Sequence, residues 1–399
     1  MSASADRRRI IVYCQHLSGA GHYVRCREII RALSRRHAIW FVVGGRHVPG
    51  PPLDPSVQRV QLPAIHRTAE GVRPIDPSRS LASVFGDRRV TLERLIQKVQ
   101  PHALIVEHFP FSKWLLRDEL LEAIRVARQV TPSLHVISSV RDFPAGNEAA
   151  STPEQLQDKV VSTLNQYFDH LLVHADAQVV TLDSQFPWIH EIKVPIHYTG
   201  YVAEKLQAPS ARRQANDGVQ NSTLPPGRVI VSSGGLHDGT RLATRCIAAW
   251  KLLDSRGKID GRVMEIFAGL SVEDAPYATL EKATQAGPFR LHRFSDDFLK
   301  AMSSAELSIS QGGYNTTMNL LETRTRGILA PNRRTHDQVP RAQRLTELQI
   351  VDVIDPQTES AAGLADLIHA RLSRPRSVHN IALDGAERTL EWIDQLEPR

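Results

Sequence analysis

The stretch Ser310-Gln311-Gly312-Gly313-Tyr314-Asn315-Thr316-Thr317 sits between an apolar run and a helical pattern. Two adjacent glycines let a backbone turn sharply and leave its N–H groups uncovered. Asn and Thr add short hydrogen-bonding side chains, and a helix N-terminus behind them carries positive partial charge. Together these predict a phosphate or diphosphate cradle at Gly312, Gly313, Asn315, Thr316 and Thr317. One apolar run later, Pro331 leads into Thr335-His336-Asp337-Gln338. A carboxylate beside an amide can grip adjacent sugar hydroxyls, because one accepts and the other both donates and accepts. Cradle followed by Asp337 and Gln338 suits a nucleotide-sugar diphosphate.

Two more glycine loops follow apolar runs. The first is His16-Leu17-Ser18-Gly19-Ala20-Gly21-His22. A dinucleotide fingerprint would need a third glycine where Val24 stands, and an acid where Gly44-Gly45-Arg46 stand, so nicotinamide and flavin are disfavoured. Gly21 still permits close approach of a ligand. His22 opens a helix, where the dipole lowers an imidazole pKa and favours the neutral form. Such an imidazole is a candidate general base; a capping or structural histidine is the alternative. The second loop, Ser232-Ser233-Gly234-Gly235-Leu236-His237-Asp238-Gly239, reads as further diphosphate contact through Gly234 and Gly235, or as a plain tight turn.

No Asp-x-Asp pair is present to hold a divalent cation on a diphosphate, and the 17 histidines form no His-Glu-x-x-His or similar spacing. The expectation is no metal and no cofactor, with backbone N–H groups and helix dipoles neutralising the diphosphate.

These loops need elements to hold them. Short Val- and Ile-rich runs fall at 10–14, 38–43, 103–106, 134–140 and 170–174, then at 229–232, 263–267, 307–310, 327–330 and 351–354. Helical spacing lies between them, as in Cys26, Ile29, Ile30 and Leu33 at i, i+3, i+4 and i+7. Alternating strands and helices predict an α/β protein of two doubly wound, Rossmann-like domains. The boundaries are 1–206, a polar Gly/Pro-containing linker at 207–227, and 228–377, with a helix in 378–399 packing back on the first domain. Ligand sites in such sheets lie at the carboxyl ends of strands, and a cleft between two facing domains is the default site.

The 399 residues carry a net charge of +6 and a pI near 9.3, with arginine well ahead of lysine. That charge is spread along the chain, with no zinc-finger spacing, aromatic RNA-binding signature or long basic run, which argues against nucleic acid. No run reaches the length of a membrane span, and the apolar run 10–14 is too short for a signal-peptide core, so the expected location is cytoplasmic. Cys14, Cys26 and Cys246 form no metal-type pair and read as buried thiols.

The chain resembles glycosyltransferases of the GT-B fold, and most closely the MurG-like group. The likeness rests on Gly19-Ala20-Gly21-His22, Glu107-His108-Phe109-Pro110-Phe111, Ser139-Val140-Arg141-Asp142, Gly312-Gly313-Tyr314-Asn315-Thr316, and the run from Asp337-Gln338 to Arg344-Leu345. It implies a metal-independent, inverting transfer from a nucleotide-diphosphate sugar, with a UDP-sugar the leading expectation. Gly234, Gly235, Asn315, Thr316 and Thr317 would surround the diphosphate, Phe294 would lie near the base, and Asp337 and Gln338 would read the sugar. His22 would take the acceptor proton, with Glu107 and Asp142 to orient or replace it. Related sequences carry a ribose-binding Glu where this one has Asn319; Glu322 lies one turn on.

The acceptor would be a natural product, an aminosugar or a lipid-linked saccharide. Phe109, Phe111, Trp114 and Leu115, near Lys113 and Arg117, read either as an apolar patch with a basic rim for peripheral membrane contact, or as core at the start of a helix. Two alternatives keep the fold. Gly19-Ala20-Gly21-His22-Tyr23-Val24-Arg25 also fits a nucleotide-sugar hydrolase, and Asn319 also fits a non-catalytic nucleotide-sugar-binding partner subunit.

Overall fold

A computed structural model describes residues 7–17, 19–68, 70–143, 153–184, 186–206, 227–233, 239–269, 272–333 and 335–397. The chain divides into two compact units, residues 1–203 with 381–399, and residues 204–380. Most of the expected linker, 207–226, lies outside the described residues, as do Gly234 and Gly235.

Unit 1 runs β1 (Arg9–Cys14), α1 (Gly21–Leu33), β2 (Ala38–Val43), β3 (Gln58–Gln61), β4 (Ile65–Thr68), β5 (Gly71–Pro74), α2 (Leu81–Val99), β6 (Ala103–Glu107), α3 (Arg117–Val130), β7 (His135–Arg141), α4 (Pro153–Tyr167), β8 (His170–His174) and β9 (Ile196–Tyr198). Seven strands form one sheet in the order β3-β2-β1-β6-β7-β8-β9, every pairing parallel. Its central strands are buried on both faces, which is why they read as continuous apolar runs. Cys26, Ile29, Ile30 and Leu33 turn the inner face of α1 onto β1 and β2, as their spacing requires.

Unit 2 runs β10 (Arg228–Ser232), α5 (Gly239–Ser255), β11 (Val263–Phe267), α6 (Asp274–Thr284), β12 (Phe289–His292), α7 (Phe298–Ser304), β13 (Leu307–Ser310), α8 (Tyr314–Thr323), β14 (Arg326–Leu329), α9 (Gln338–Glu347), β15 (Val351–Val353) and α10 (Ala361–Leu372). Its six strands pair in parallel in the order β12-β11-β10-β13-β14-β15, around a core centred on the fully buried Trp250. The last helix, α11 (Gly385–Asp394), belongs to unit 1, where Leu390, Ile393 and Leu396 join the core beside Ile29 and Ile30. Gly385 makes that docking possible: a Cβ there would lie 2.3 Å from the Gly200 carbonyl oxygen.

Strands β3, β4, β5, β9 and β12 were not among the expected runs. They are short, edge or hairpin strands with mixed burial, so they lack the apolar run that marks a central strand. The three cysteines are all buried and free.

A buried polar lock joins β1, α2 and α3. The Arg88 guanidinium donates to Glu119 Oε2 at 2.7 Å and Oε1 at 2.9 Å, and to the Tyr13 hydroxyl at 2.8 Å. Tyr13 donates to Glu119 Oε1 at 2.5 Å. Arg88 and Glu119 are at most 1% exposed at the side chain, so neither tolerates loss of its partner. Glu119→Ala should lower the stability of unit 1 by about 3–5 kcal/mol, read as a fall in the urea midpoint at unchanged slope.

Candidate functional site

In a doubly wound sheet the crevice lies where strand order reverses. In unit 1 that is between β1 and β6, and in unit 2 between β10 and β13. Of the described candidates, His22 and Glu107 lie at the first point, and Gly312, Gly313 and Asn315 at the second.

In unit 1 the loop after β1 delivers α1 over the end of β6. Glu107, the last residue of β6, is 1% exposed at its side chain. His22, in the first turn of α1, donates from Nδ1 to Glu107 Oε1 at 2.5 Å. Arg25, one turn along the same helix, donates to the same oxygen at 2.7 Å. Lys113 takes the other oxygen, Oε2. His108 stands edge-on to His22, with ring centroids 4.9 Å apart.

The electrostatics follow from this crowding. Burial alone would raise the Glu107 pKa; His22, Lys113, His108 and Arg25 outweigh it and hold the carboxyl well below the usual carboxylate range. Burial is the largest influence on His22 and pushes it down to about 4; Glu107 opposes that shift, while Lys113 and Arg141 reinforce it. The imidazole is neutral as expected, but desolvation is the main cause instead of the helix dipole. With Nδ1–H committed to an ionised Glu107, the lone pair sits on Nε2, and the ring keeps 23% of its surface accessible. His108 is also driven well below its ordinary pKa, first by burial. Two strands over, on β8, buried His174 bonds Ser139 Oγ at 2.9 Å and Thr199 Oγ1 at 2.7 Å.

His22, Glu107 and His108 bring three possible metal-ligand atoms within 4.8 Å of one another. Two permanent cations, Arg25 and Lys113, already hold the carboxylate. A divalent ion would have to displace them against their repulsion, so the donor set fits proton handling better than metal binding.

Asp142 lies just past β7, 1% exposed, and accepts the Phe143 amide at 3.1 Å. The proposed apolar patch is corrected. Phe109 and Phe111 are fully buried, Lys113 is committed to Glu107, and Leu115 alone of the four is exposed. The core alternative needs correction too: Leu116, Leu120 and Ile124 are buried, whereas Leu115 is not.

In unit 2 Gly312 adopts φ +73°, a left-handed conformation that demands glycine, and Gly313 caps α8 with no side-chain hydrogen bond. This turn opens α8, with Asn315 and Thr316 half-buried in its first turn. Thr317 departs from the expected role: it is fully buried and stands beneath the turn. Asn319 is 7% exposed in the body of α8, and Glu322 pairs with Lys205 at 2.6 Å. Phe294 is 44% exposed just after β12. Asp337 is 4% exposed, and its Oδ2 is held by Arg341 at 2.8 Å. Gln338 accepts the Asn332 amide at 2.9 Å, and its Nε2 lies 4.0 Å from where a Cβ on Gly313 would stand.

A cleft with about 420 Å³ of open space lies at the carboxyl ends of β13, β14 and β15, lined by Gln311, Asn332, Arg333, Asp355 and Arg241 among others. Gln311 and Arg341 were not singled out from the sequence as site residues, and Arg25 and Lys113 were read only as part of a hydrolase-like motif and of a basic rim. Arg25 and Arg341 stand three and four residues beyond His22 and Asp337, so helical spacing was the signal that would have paired them.

Residues 272–381 match the glycosyltransferase family 28 C-terminal domain. The fold is shared with solved glycosyltransferases across nearly the whole chain. Acinetobacter baumannii MurG matches at 13% identity with a TM-score of 0.53, covering 96% of this chain and 95% of that one. The chain has the GT-B fold of these proteins, with a second unit that carries the match to the family 28 C-terminal domain. CalG4, the calicheamicin glycosyltransferase, matches at 15% identity and TM-score 0.56, covering 97% and 94%. UGT2 of Phytolacca americana, solved with UDP-2-fluoroglucose and pterostilbene, matches at 14% and 0.59, covering 97% and 94%. No curated protein matches the sequence. None of the described helices is long and apolar enough to cross a membrane.

Glu107→Gln would leave Arg25 and Lys113 buried against a neutral amide. It should cost about 3–5 kcal/mol of stability, measured by chemical denaturation of unit 1's transition.

Proposed function

We propose that this protein is a glycosyltransferase that moves a sugar from a nucleotide-diphosphate donor, with UDP as the nucleotide, to an acceptor hydroxyl or amine by a metal-independent displacement that inverts the anomeric centre. The observation that carries the reading is the His22–Glu107 pair, a neutral imidazole with Nε2 free to accept and Nδ1–H fixed on a buried carboxylate.

The step is a single displacement. The acceptor oxygen forms a bond to the anomeric carbon as the bond from that carbon to the diphosphate oxygen breaks. The acceptor proton passes to His22 Nε2, and the electron pair leaves with the nucleoside diphosphate. Glu107 holds the ring in the tautomer that accepts the proton, and stabilises the imidazolium that results. The Gly313 amide and the positive end of the α8 dipole meet the charge developing on the diphosphate. The UDP-sugar analogue bound by the Phytolacca protein supports the choice of nucleotide.

His22→Ala should lower kcat by about 10²–10⁴-fold without changing nucleotide affinity. The base works deprotonated, so activity is present above its pKa and lost as pH falls through it. The acid limb of kcat/KM should fall near the His22 value of about 4; a limb near the ordinary imidazole value of about 6.5 would reject the assignment. A thermal-shift panel of UDP, dTDP, GDP and ADP, each with and without chelator, tests the donor. The expected result is stabilisation by UDP that chelator leaves intact, and a chelator-sensitive shift would overturn metal independence.

A further inference from the structure

We propose that Arg341 is the positioning residue of the donor half-site, and that Asp337 acts through it as a counter-ion instead of reading the sugar. The proposal rests on unit 2 being the donor half-site and assigns roles within it.

Arg341 is among the largest fully buried side chains of the molecule, at 1% exposure. A cation buried that deeply must be compensated. Its guanidinium donates from Nη2 to Asp337 Oδ2 at 2.8 Å, and from Nη1 to the Gly312 carbonyl oxygen at 3.3 Å. The Tyr314 ring lies 5.4 Å from the guanidinium carbon. One side chain on α9 thus grips the glycine turn, the first residue of α8 and the acid of the acid–amide pair.

The contact with Gly312 sets the direction of the turn. In a planar trans peptide the C=O of one residue and the N–H of the next point opposite ways. Anchoring the Gly312 carbonyl on Arg341 therefore aims the Gly313 N–H away from Arg341. No acceptor among the described residues takes that N–H. Arg341 also sets a permanent positive charge behind the turn, which adds to the helix dipole for an anion held in front. The Asp337 carboxylate is 4% exposed and its Oδ2 is engaged by that charge, which commits it to Arg341 in place of a sugar hydroxyl.

The test is calorimetric binding of UDP alone, which carries no sugar, to the full-length wild type and to Arg341→Met, Arg341→Lys, Asp337→Asn and the double variant Arg341→Met/Asp337→Asn. Circular dichroism confirms folding of each. UDP should bind at least tenfold more weakly to Arg341→Met, with Arg341→Lys in between. Asp337→Asn should also weaken UDP several-fold, and the double variant should be no weaker than Arg341→Met. In steady state the donor KM should rise with the acceptor KM unchanged. The double variant removes both buried charges together, so it reports even where a single variant fails to fold. Wild-type UDP affinity in folded Arg341→Met or in the double variant overturns the proposal. So does Asp337→Asn that keeps UDP affinity but alters the choice among UDP-sugars. A wild type that binds none of the nucleoside diphosphates overturns the donor-site reading itself, and this proposal with it.

Discussion

A single buried carboxylate organises unit 1. Glu107 ends the β6 strand beside the switch point of the sheet, out of reach of bulk water. An ionised carboxylate there is sustained only by partners, and three converge on it: His22 and Arg25 from α1, and Lys113 from the loop after β6. The parallel pairing of β1 with β6 is what makes this convergence possible, because it brings the start of α1 over the end of β6. Two fixed cations and burial then settle the protonation states. The carboxyl stays charged and the imidazole stays neutral. A base with a low pKa is a weak base in the ground state, so the base proposed at His22 would rely on Glu107 to stabilise the charge it acquires.

Unit 2 solves the opposite electrostatic problem. The nucleoside diphosphate proposed as its ligand would bring negative charge, which backbone amides and one buried guanidinium would meet. Arg341 stands behind the glycine turn with Asp337 as its counter-ion, much as Glu107 stands behind His22 with Arg25 and Lys113 as its own. In each unit the buried charge lies one layer beneath the group proposed to face a ligand. That layering costs desolvation, and hydrogen bonds to every buried partner offset it. The lock of Arg88, Glu119 and Tyr13 follows the same rule at a place with no candidate chemistry, where its effect is to hold α2 and α3 to β1.

The central strands were legible because parallel strands buried on both faces must be apolar along their whole length, and α1 because its core face repeats every turn. Edge strands β3 and β12 and the β4–β5 hairpin were not, since one exposed face replaces the run with a polar mixture. The candidate residues were legible as types at strand ends: His22, Glu107, Gly312, Gly313 and Gln338 all stand at or beside a switch point. Thr317 and Asp337 illustrate the limit. Their residue types suit a ligand, yet helix phase turns Thr317 into the core and a neighbouring arginine engages Asp337. The aromatic run at 109–111 likewise reads as a patch until the fold buries it.

The sequence by itself determined the alternation of strand and helix, the glycine turns at strand ends and the absence of an Asp-x-Asp pair, because each depends on local spacing alone. Tertiary structure decided which charges meet. Glu107 lies 85 residues beyond His22, and Arg341 reaches a carbonyl 29 residues before it. Those pairings, and the burial that sets the pKa of His22, arise only when parallel strands distant in the chain lie side by side. No local pattern encodes the desolvation that results.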